Sequence, residues 1–489
     1  MRCWITPSQR RENESGRRRA DGRGQTADSD RGSMAMNEQT GTPSWWEPEA
    51  LAFRQRVLEE IEGLSPPELA ALAERLNREQ EEFLAGRALC LYPGANRMSP
   101  RVRALLASSA ATRASEGHPG AKYQTGLRWM EEAEVLAVGL IRRLFDAPYA
   151  EVRALSGSMA NMAVLNGLTE PGDVIFSLST PVGAHISHQR VGAAGYRRLD
   201  IHTIPYDVEN WEIDLEALRR EVRASPPRLI ILGASLILFP YPVREVREIA
   251  DEVGAVVLYD AAHVAGLIAG GVWQHPLREG AHVMTASTYK SFGGPPGGIV
   301  LTADEDIARR VDRAIFPGLT ANFHTNRLPA LAVAAAEMLA FGSRYARDCV
   351  ANAQVLATAF QEEGLVVAGA EKGCTAGHML ALDVRGNGGG RAAATALEAA
   401  HIICNMNLLP WDSPKSVRDP GGVRLAVHEV TRWGMGPEAM KEIARLFRAV
   451  LVERRPPAEV RQRVIALKAR FDTLQYCFPV DENSGGEYI

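Results

Sequence analysis

The sequence predicts an α/β fold: a large domain with a mostly parallel sheet covered by helices, and a smaller C-terminal α/β domain. From about residue 99 to 315, helical patterns alternate with short aliphatic segments, as in repeated βα units. These segments are apolar along most of their length, as expected for parallel strands buried on both faces. A second alternation of helices and strands follows residue 345.

The predicted elements follow from the periodicity of apolar residues and from the Gly, Pro and capping residues at which elements begin or end. In the large domain, strands are predicted at 173–177, 197–205, 228–232, 256–260, 282–286 and 299–302, and helices at 131–145, 215–223 and 243–253. In the small domain, strands are predicted at 379–384 and 422–425, and helices at 348–363, 437–452 and 458–473. We therefore place the large domain at 99–345 and the small domain at 346–489.

The N-terminal part of the chain differs from the rest in composition. Residues 1–44 are polar and poor in aliphatic side chains, which predicts a disordered tail. Met34 and Met36 leave open that translation begins later than the first residue. Residues 45–98 carry two amphipathic helical stretches. They predict a helical arm that packs on the body of the protein or on a partner subunit.

Bulk properties exclude several classes of function. The net charge is −4 over 489 residues, too small to indicate a nucleic-acid or membrane surface. The six cysteines include no CxxC pair, which argues against a zinc site or a disulfide framework and fits a cytoplasmic protein. No apolar run approaches the roughly 18 residues of a membrane helix. No metal site is predicted.

One lysine lies in an unusual setting. Arginine supplies nearly all of the positive charge, and the chain has six lysines. Lys290 follows a run rich in hydroxyl groups, residues 285–288, and precedes the Gly/Pro-rich stretch 293–298. An amine can lose its proton and form a Schiff base, whereas a guanidinium cannot. Lys290 alone is also compatible with an ordinary surface lysine, so its meaning depends on other motifs.

Two further motifs supply that context. Residues 156–161 read as a loop that opens a helix, where backbone N–H and hydroxyl groups can bind a phosphate, although a serine there can also be a simple N-cap. Asp260 ends a buried strand, where α/β sheets bind ligands, and His263 follows. A phosphate loop, a strand-end carboxylate and an amine are together what pyridoxal phosphate (PLP) requires.

In these stretches the chain resembles the serine hydroxymethyltransferase family of fold-type I PLP enzymes. The similar segments occur in family order between about residues 90 and 450. They comprise residues 116–120 with Tyr123, 156–164, 171–173, 183–188, 233–235, 249–255, 260–269, 316–318, 422–424 and 430–432. The resemblance implies the fold-type I architecture and a PLP-dependent enzyme.

The resemblance also implies the cofactor contacts. Lys290 would form the Schiff base, and Asp260 would keep the pyridine nitrogen of PLP protonated. His185 would stack on the ring, His263 would contact its phenolic oxygen, and Ser235 would lie near its substituents. The remaining expected cofactor contacts are Ser156, Gly157, Ser158 and Thr288.

For the substrate, the resemblance implies that Arg424 binds the carboxylate of an amino acid. Glu116 would act as acid and base on the β-hydroxyl group, and Tyr123 is expected to be catalytic beside it. The implied reaction is retro-aldol transfer of a hydroxymethyl unit from serine or α-methylserine to tetrahydrofolate. The family normally forms a homodimer or homotetramer with shared active sites, so Glu116 and the loop 316–323 would come from the partner.

Several positions depart from the family pattern. Gly94 stands where the family has a serine near the substrate carboxylate, and Ala114 and Gln124 replace tyrosines. Tyr289 replaces the histidine before the Schiff-base lysine, and the glycine pair that reaches the partner's phosphate reads as residues 321–322, Ala-Asn. Loss of bulk at Ala114 and Gln124 suggests a wider pocket.

These departures leave three functions open. The first is the folate-dependent hydroxymethyltransferase of serine, glycine or an α-methyl analogue. The second is a folate-independent β-hydroxy-amino-acid aldolase or threonine transaldolase that uses a bulkier aldehyde. The third is a PLP-binding relative without catalysis, against which the presence of Lys290, Asp260, Arg424 and Glu116 argues.

Overall fold

The computed structural model describes residues 45–479, so the tail predicted at 1–44 lies outside the described residues. The chain divides into two compact units, Met1–Asn77 and Arg78–Ile489. The first unit contains a helix over Pro48–Ile61 and the start of a helix over Pro66–Glu82. Glu68 Oε2 accepts hydrogen bonds from the backbone N and the Oγ of Ser65, at 2.8 and 2.7 Å. Ser65 donates both bonds, so the contact is the carboxylate half of a capping box, and it favours a helix that begins after Ser65.

The described elements follow in chain order. The α-helices are α1 (Pro48–Ile61), α2 (Pro66–Glu82), α3 (Pro100–Leu106), α4 (Arg128–Phe145), α5 (Gly157–Leu168), α6 (Ala193–Tyr196), α7 (Leu215–Ala224), α8 (Val243–Val253), α9 (Ala265–Ala269), α10 (Pro276–Glu279), α11 (Glu305–Arg313), α12 (Arg327–Glu362), α13 (Gly390–Ala399), α14 (His428–Arg432), α15 (Pro437–Leu451) and α16 (Pro457–Lys468). The strands are β1 (Leu89–Cys90), β2 (Gly117–His118), β3 (Ala121–Lys122), β4 (Tyr149–Glu151), β5 (Val174–Ser177), β6 (Asp200–Thr203), β7 (Tyr206–Asp207), β8 (Glu212–Ile213), β9 (Leu229–Leu232), β10 (Val256–Asp260), β11 (Val283–Ser287), β12 (Gly298–Thr302), β13 (Val366–Val367), β14 (Met379–Asp383), β15 (Ile402–Ile403), β16 (Asn405–Asn407) and β17 (Gly422–Ala426).

The main sheet has seven strands in the order β4-β12-β11-β10-β9-β5-β6. The pairs from β11 through β10, β9 and β5 to β6 are parallel, whereas β12 is antiparallel to both β11 and β4. The mostly parallel sheet predicted from the sequence is therefore confirmed. The carboxyl ends of β9, β10 and β11 meet at one edge, where α/β sheets bind ligands.

Both faces of the main sheet are buried. Along β9, Ile230 and Leu232 pack into one apolar core and Leu229 and Ile231 into another. Because side chains alternate across a strand, a strand that is apolar at every position must be covered on both sides. This burial fixes the strand ends on which the candidate site is built.

A second sheet, in the order β13-β14-β17-β16, is antiparallel throughout. A separate apolar core lies beside it, with Leu380, Leu425 and Phe447 among its members, and it also takes in Leu89 and Leu91. The C-terminal α/β segment of the predicted fold class is thus present, but Arg78–Ile489 form one compact unit and α12 continues through residue 345, so the division into domains at 345/346 stays a prediction. Among the helices of residues 45–479, none combines the length and the apolar character that a membrane crossing requires.

Candidate active site

The candidate site lies where β10 and β11 end and α5 begins. Asp260 is the last residue of β10 and pairs with Thr285 of the parallel strand β11. Lys290 follows β11 by three residues, and Ser156 is the N-cap of α5. The sheet topology therefore brings Ser156, which is 104 residues before Asp260 in the sequence, to the same edge as Asp260 and Lys290.

Lys290 is buried, with 7% of its surface exposed. Its Nζ lies 3.1 Å from His263 Nε2. Burial lowers the pKa of Lys290 to about 8, while the carboxylate of Asp260 opposes the shift and the guanidinium of Arg424 adds to it. Burial lowers the pKa of His263 well below its ordinary value, so this imidazole is neutral. A substantial fraction of Lys290 is thus a neutral amine near pH 8, which is the form that can attack an aldehyde.

Asp260 is also buried, and its carboxylate is held by three groups. Its Oδ2 accepts a hydrogen bond of 2.7 Å from Asn161 Nδ2 and lies 3.0 Å from His188 Nε2. Its Oδ1 accepts a hydrogen bond of 2.9 Å from the backbone N of Ala262. Burial raises the pKa of Asp260, but the hydrogen bond and the charge of His188 outweigh it and keep the pKa below its usual range. Asp260 is therefore an ionised buried carboxylate.

The hydroxyl groups around the α5 N-terminus have different partners. Ser156 Oγ caps the helix by accepting from the backbone N of Met159 at 3.1 Å. Thr288 Oγ1 donates to the carbonyl of Pro295, and Ser158 is exposed. Ser287 Oγ is buried and has no hydrogen-bond partner among the described residues. A Cβ at Gly157 would lie 2.3 Å from that Oγ, so only glycine leaves room there.

His185, Ser235 and Arg424 complete the pocket. His185 Nδ1 lies 2.8 Å from Ser187 Oγ, and burial lowers the pKa of His185 to about 4, so its ring is neutral. Arg424 lies on β17, donates from Nε to Asn405 Oδ1 at 3.2 Å and from Nη1 to the carbonyl of Ser235. Burial lowers the pKa of Arg424 to about 10, which leaves it a cation at neutral pH.

Glu116 and Tyr123 flank the hairpin formed by β2 and β3. Glu116 and Gln124 bond reciprocally: Gln124 Nε2 donates to Glu116 Oε2 at 3.0 Å, and Glu116 N donates to Gln124 Oε1 at 2.8 Å. Tyr123 is 77% exposed, and its ring centroid is 6.3 Å from that of Phe316. Within the described residues, no hydrogen bond or ion pair joins Glu116 to Lys290.

The sequence-predicted residues therefore form two groups. Glu116 and Tyr123 belong to the hairpin. The other group belongs to the pocket edge and comprises Lys290, Asp260, His263, His185, Ser235, Arg424, Thr288, Ser156, Gly157 and Ser158. Three further residues were not assigned roles from the sequence: Asn161 and His188, which hold Asp260, and Ser287. Asn161 and His188 lie within the similar segments 156–164 and 183–188, but nothing in the order of residues shows that their side chains meet Asp260.

The polar atoms of the pocket indicate that it fits PLP. His263 Nδ1 and Ser287 Oγ are buried without a hydrogen-bond partner among residues 45–479, and buried polar atoms normally have one. The neutral amine of Lys290 suits the aldehyde of PLP, and the ionised carboxylate of Asp260 suits its protonated ring nitrogen. The helix N-terminus suits its phosphate, and the two unsatisfied polar atoms can bond to the bound cofactor. The residues present therefore fit this cofactor.

Comparisons with known proteins agree with this geometry. The family described as serine hydroxymethyltransferase matches residues 67–447. A serine hydroxymethyltransferase of Methanopyrus kandleri is 46% identical over 392 residues, which are 80% of this chain and 91% of that protein. Proteins of the same name from Archaeoglobus fulgidus and Pyrococcus horikoshii are 45% and 43% identical over 80% and 82% of the chain, and 89% and 95% of their own lengths. The chain therefore belongs to the serine hydroxymethyltransferase family of fold-type I PLP enzymes.

Proposed function

We propose that the protein transfers a hydroxymethyl unit between a β-hydroxy amino acid of the serine type and tetrahydrofolate, with PLP as cofactor. The observation that carries the proposal is the buried Lys290, whose pKa of about 8 leaves a reactive amine beside neutral His263 and near ionised Asp260. Family membership supports the reaction type. The substituents on the α-carbon and β-carbon of the amino acid are to be determined by experiment.

The cofactor would be held by residues of the pocket edge. Lys290 would bind its aldehyde carbon, Asp260 its ring nitrogen, and the α5 N-terminus with Ser287 its phosphate. When bound, PLP supplies a ring that withdraws electrons from the α-carbon of the amino acid. Asp260 keeps that ring cationic because its carboxylate is ionised and is itself held by Asn161 and His188.

The chain's own side chains bind and orient the substrate. Arg424, fixed by Asn405 and the Ser235 carbonyl, presents its guanidinium to the α-carboxylate. His185, a neutral ring, would lie on the face of the cofactor. Glu116 would take the proton from the β-hydroxyl group as the bond between the α- and β-carbons breaks, and return it in the reverse direction. Tyr123 lies beside it on the hairpin.

We further propose a homodimer, or a homotetramer built from it, in the cytoplasm. Within the described residues no hydrogen bond or ion pair joins Glu116 to Lys290, and Tyr123 of the same hairpin lies beside Phe316 of the loop that the resemblance also assigned to the partner. Trp129, Val135 and Leu136 of α4 are 72%, 58% and 54% exposed, which is apolar surface that a second subunit can cover. Free cysteines among the described residues fit a reducing compartment.

One experiment tests the reaction. The purified protein is loaded with PLP and incubated with serine, α-methylserine or threonine, with and without tetrahydrofolate, and the products are identified. We expect glycine from serine, or alanine from α-methylserine, only when tetrahydrofolate is present. Acetaldehyde from threonine without folate would replace the proposal by the aldolase alternative. The Lys290→Ala variant is the matched control and should give no product.

A further inference from the structure

The substrate-carboxylate side of the pocket differs from the family pattern at Gly94, where a serine hydroxyl is missing. We propose that Tyr92 replaces that serine: its phenol hydroxyl binds the α-carboxylate of the substrate together with Arg424. Tyr92 and Gly94 would then depend on each other, because the absence of a side chain at Gly94 leaves room for the Tyr92 ring. This inference rests on the proposed function, because it needs an amino-acid substrate.

The position of the Tyr92 ring is the first observation. A Cβ built on Gly94 would lie 2.5 Å from both Cζ and Oη of Tyr92. Contacts of under 3 Å between carbon atoms are not tolerated, so the tip of the phenol occupies the space where a side chain at residue 94 would begin. A serine cannot stand at residue 94 unless the Tyr92 ring moves. The hydroxyl of Tyr92 thus takes over the neighbourhood of the hydroxyl that the chain lacks.

The backbone places Tyr92 next to the strand that carries Arg424. Leu91 N donates to the carbonyl of Ile403 at 2.8 Å, and Ala426 N donates to the carbonyl of Leu91 at 2.8 Å. The residue before Tyr92 is therefore fixed between the end of β15 and β17, and β17 carries Arg424. The negative form of Tyr92 raises the pKa of Arg424 against the larger lowering effect of burial, so the two groups are near enough to interact.

Both groups retain hydrogen-bonding capacity for a ligand. Arg424 uses Nε and Nη1 on Asn405 and Ser235, which orients the guanidinium, and within residues 45–479 no hydrogen bond is made by its Nη2. Tyr92 Oη makes no hydrogen bond with a described residue either, and Tyr92 is 39% exposed. A phenol O–H and a guanidinium N–H that both reach a ligand are complementary to the two oxygens of a carboxylate.

The test uses the PLP-loaded protein and its Tyr92→Phe variant, which removes only the hydroxyl. Binding of glycine and of glycinamide, which has no carboxylate, is titrated through the change in cofactor absorbance. We expect the Kd for glycine to rise about tenfold and the Kd for glycinamide to stay the same, because one hydrogen bond to a charged group is lost. Tyr149→Phe, on the far edge strand β4, is the matched control and should change neither value.

Two results would overturn the inference. One is an unchanged glycine Kd in Tyr92→Phe, and the other is an equal rise for glycine and glycinamide, which would indicate a general disturbance of the pocket. If the wild-type protein itself gives no response to glycine, the proposed function fails as well, so the two failures are distinguishable.

A second pair of variants tests the coupling between the two residues. Tyr92→Ala should weaken glycine binding, and Tyr92→Ala combined with Gly94→Ser should recover most of it, because the double variant restores the family's serine in the vacated space. Gly94→Ser alone should bind glycine poorly, since its Cβ meets the Tyr92 ring. The coupling would be contradicted if the double variant bound glycine no more tightly than Tyr92→Ala, with thermal unfolding showing that both variants are folded.

Discussion

At the scale of single residues, the chemistry of Lys290 depends on how far burial shifts its titration. An exposed lysine has a pKa of about 10.4 and is almost wholly protonated at neutral pH. In this pocket the pKa is about 8, with burial as the largest cause. Because only the neutral amine attacks an aldehyde, the local environment increases the reactive fraction by more than a hundredfold at pH 7.

This shift predicts the pH dependence of cofactor loading. When apo-protein is mixed with PLP in a stopped-flow spectrophotometer, the loading rate should rise from pH 6, reach half of its maximum near pH 8 and level off above about pH 9. A rate that continues to rise up to pH 10 would show that Lys290 titrates like an exposed lysine. The control is Lys290→Met, which should show no saturable loading at any pH.

The stability of the apo-protein should respond to the same group. The folded-state pKa of Lys290 lies below the unfolded value, so between about pH 8 and 10.5 the unfolded chain binds more protons than the folded chain. The contribution of Lys290 to the free energy of unfolding therefore rises with pH through that window. Comparison with Lys290→Met isolates this contribution from that of other titrating groups.

The sequence was informative about some residues of the site and not about others. Lys290 and Asp260 were predicted because an unusual lysine and a strand-end carboxylate are visible in the chain order, although their roles remain proposals. Asn161 and His188 could not be assigned, because their contacts of 2.7 and 3.0 Å with Asp260 arise from how α5 and a turn pack over the strand end. Likewise, nothing in the sequence shows that the Tyr92 ring folds back against Gly94.

At the scale of elements, buried strands and amphipathic helices were the best predicted. The bounds of β10 and α8 agree with prediction, since β10 is apolar up to its final Asp260 and α8 has a clear polar face. Helix α12 spans Arg327–Glu362, yet only its last part was predicted. Its first half is buried on most sides and rich in alanine, so it lacks the period that reveals a surface helix. The edge strand β4 has three residues and gave no usable pattern.

The hairpin that carries Glu116 is held by a buried ion pair. Lys122 Nζ lies 2.7 Å from Glu134 Oε2 of α4 and also donates to the carbonyls of Ser115 and Gly117, at 3.2 and 2.7 Å. The side chains of Lys122 and Glu134 are 1% and 7% exposed. One of the few lysines in the chain thus ties both strands of the hairpin to the body of the large domain.

This ion pair predicts an asymmetric response to mutation. Lys122→Met should lower the free energy of unfolding by about 3 kcal/mol, because it leaves the Glu134 carboxylate buried without its cation. Urea denaturation followed by circular dichroism measures the loss. Lys122→Met combined with Glu134→Leu should recover most of it, since two apolar groups of similar size leave no buried charge. Equal stability of the single variant and the wild type would show that the pair contributes nothing.

At the scale of the whole molecule, Glu116 and Lys290 share no hydrogen bond or ion pair within the described residues of one chain. A retro-aldol site needs a group that handles the β-hydroxyl proton within hydrogen-bond reach of the substrate. The proposed dimer meets that requirement by bringing the hairpin of a second copy to the Lys290 pocket. A twofold dimer does this twice, because each subunit gives its hairpin to the other.

Subunit complementation tests this arrangement directly. Lys290→Ala and Glu116→Gln are each expected to be nearly inactive, so they are co-expressed with different affinity tags and the mixed dimer is purified. If sites are shared, the mixed dimer holds one intact site, with Lys290 from one subunit and Glu116 from the other, and one doubly altered site. It should therefore show about half of the wild-type turnover per dimer. If each site were built from one chain, both sites would carry a substitution and the mixed dimer would be as inactive as its parents.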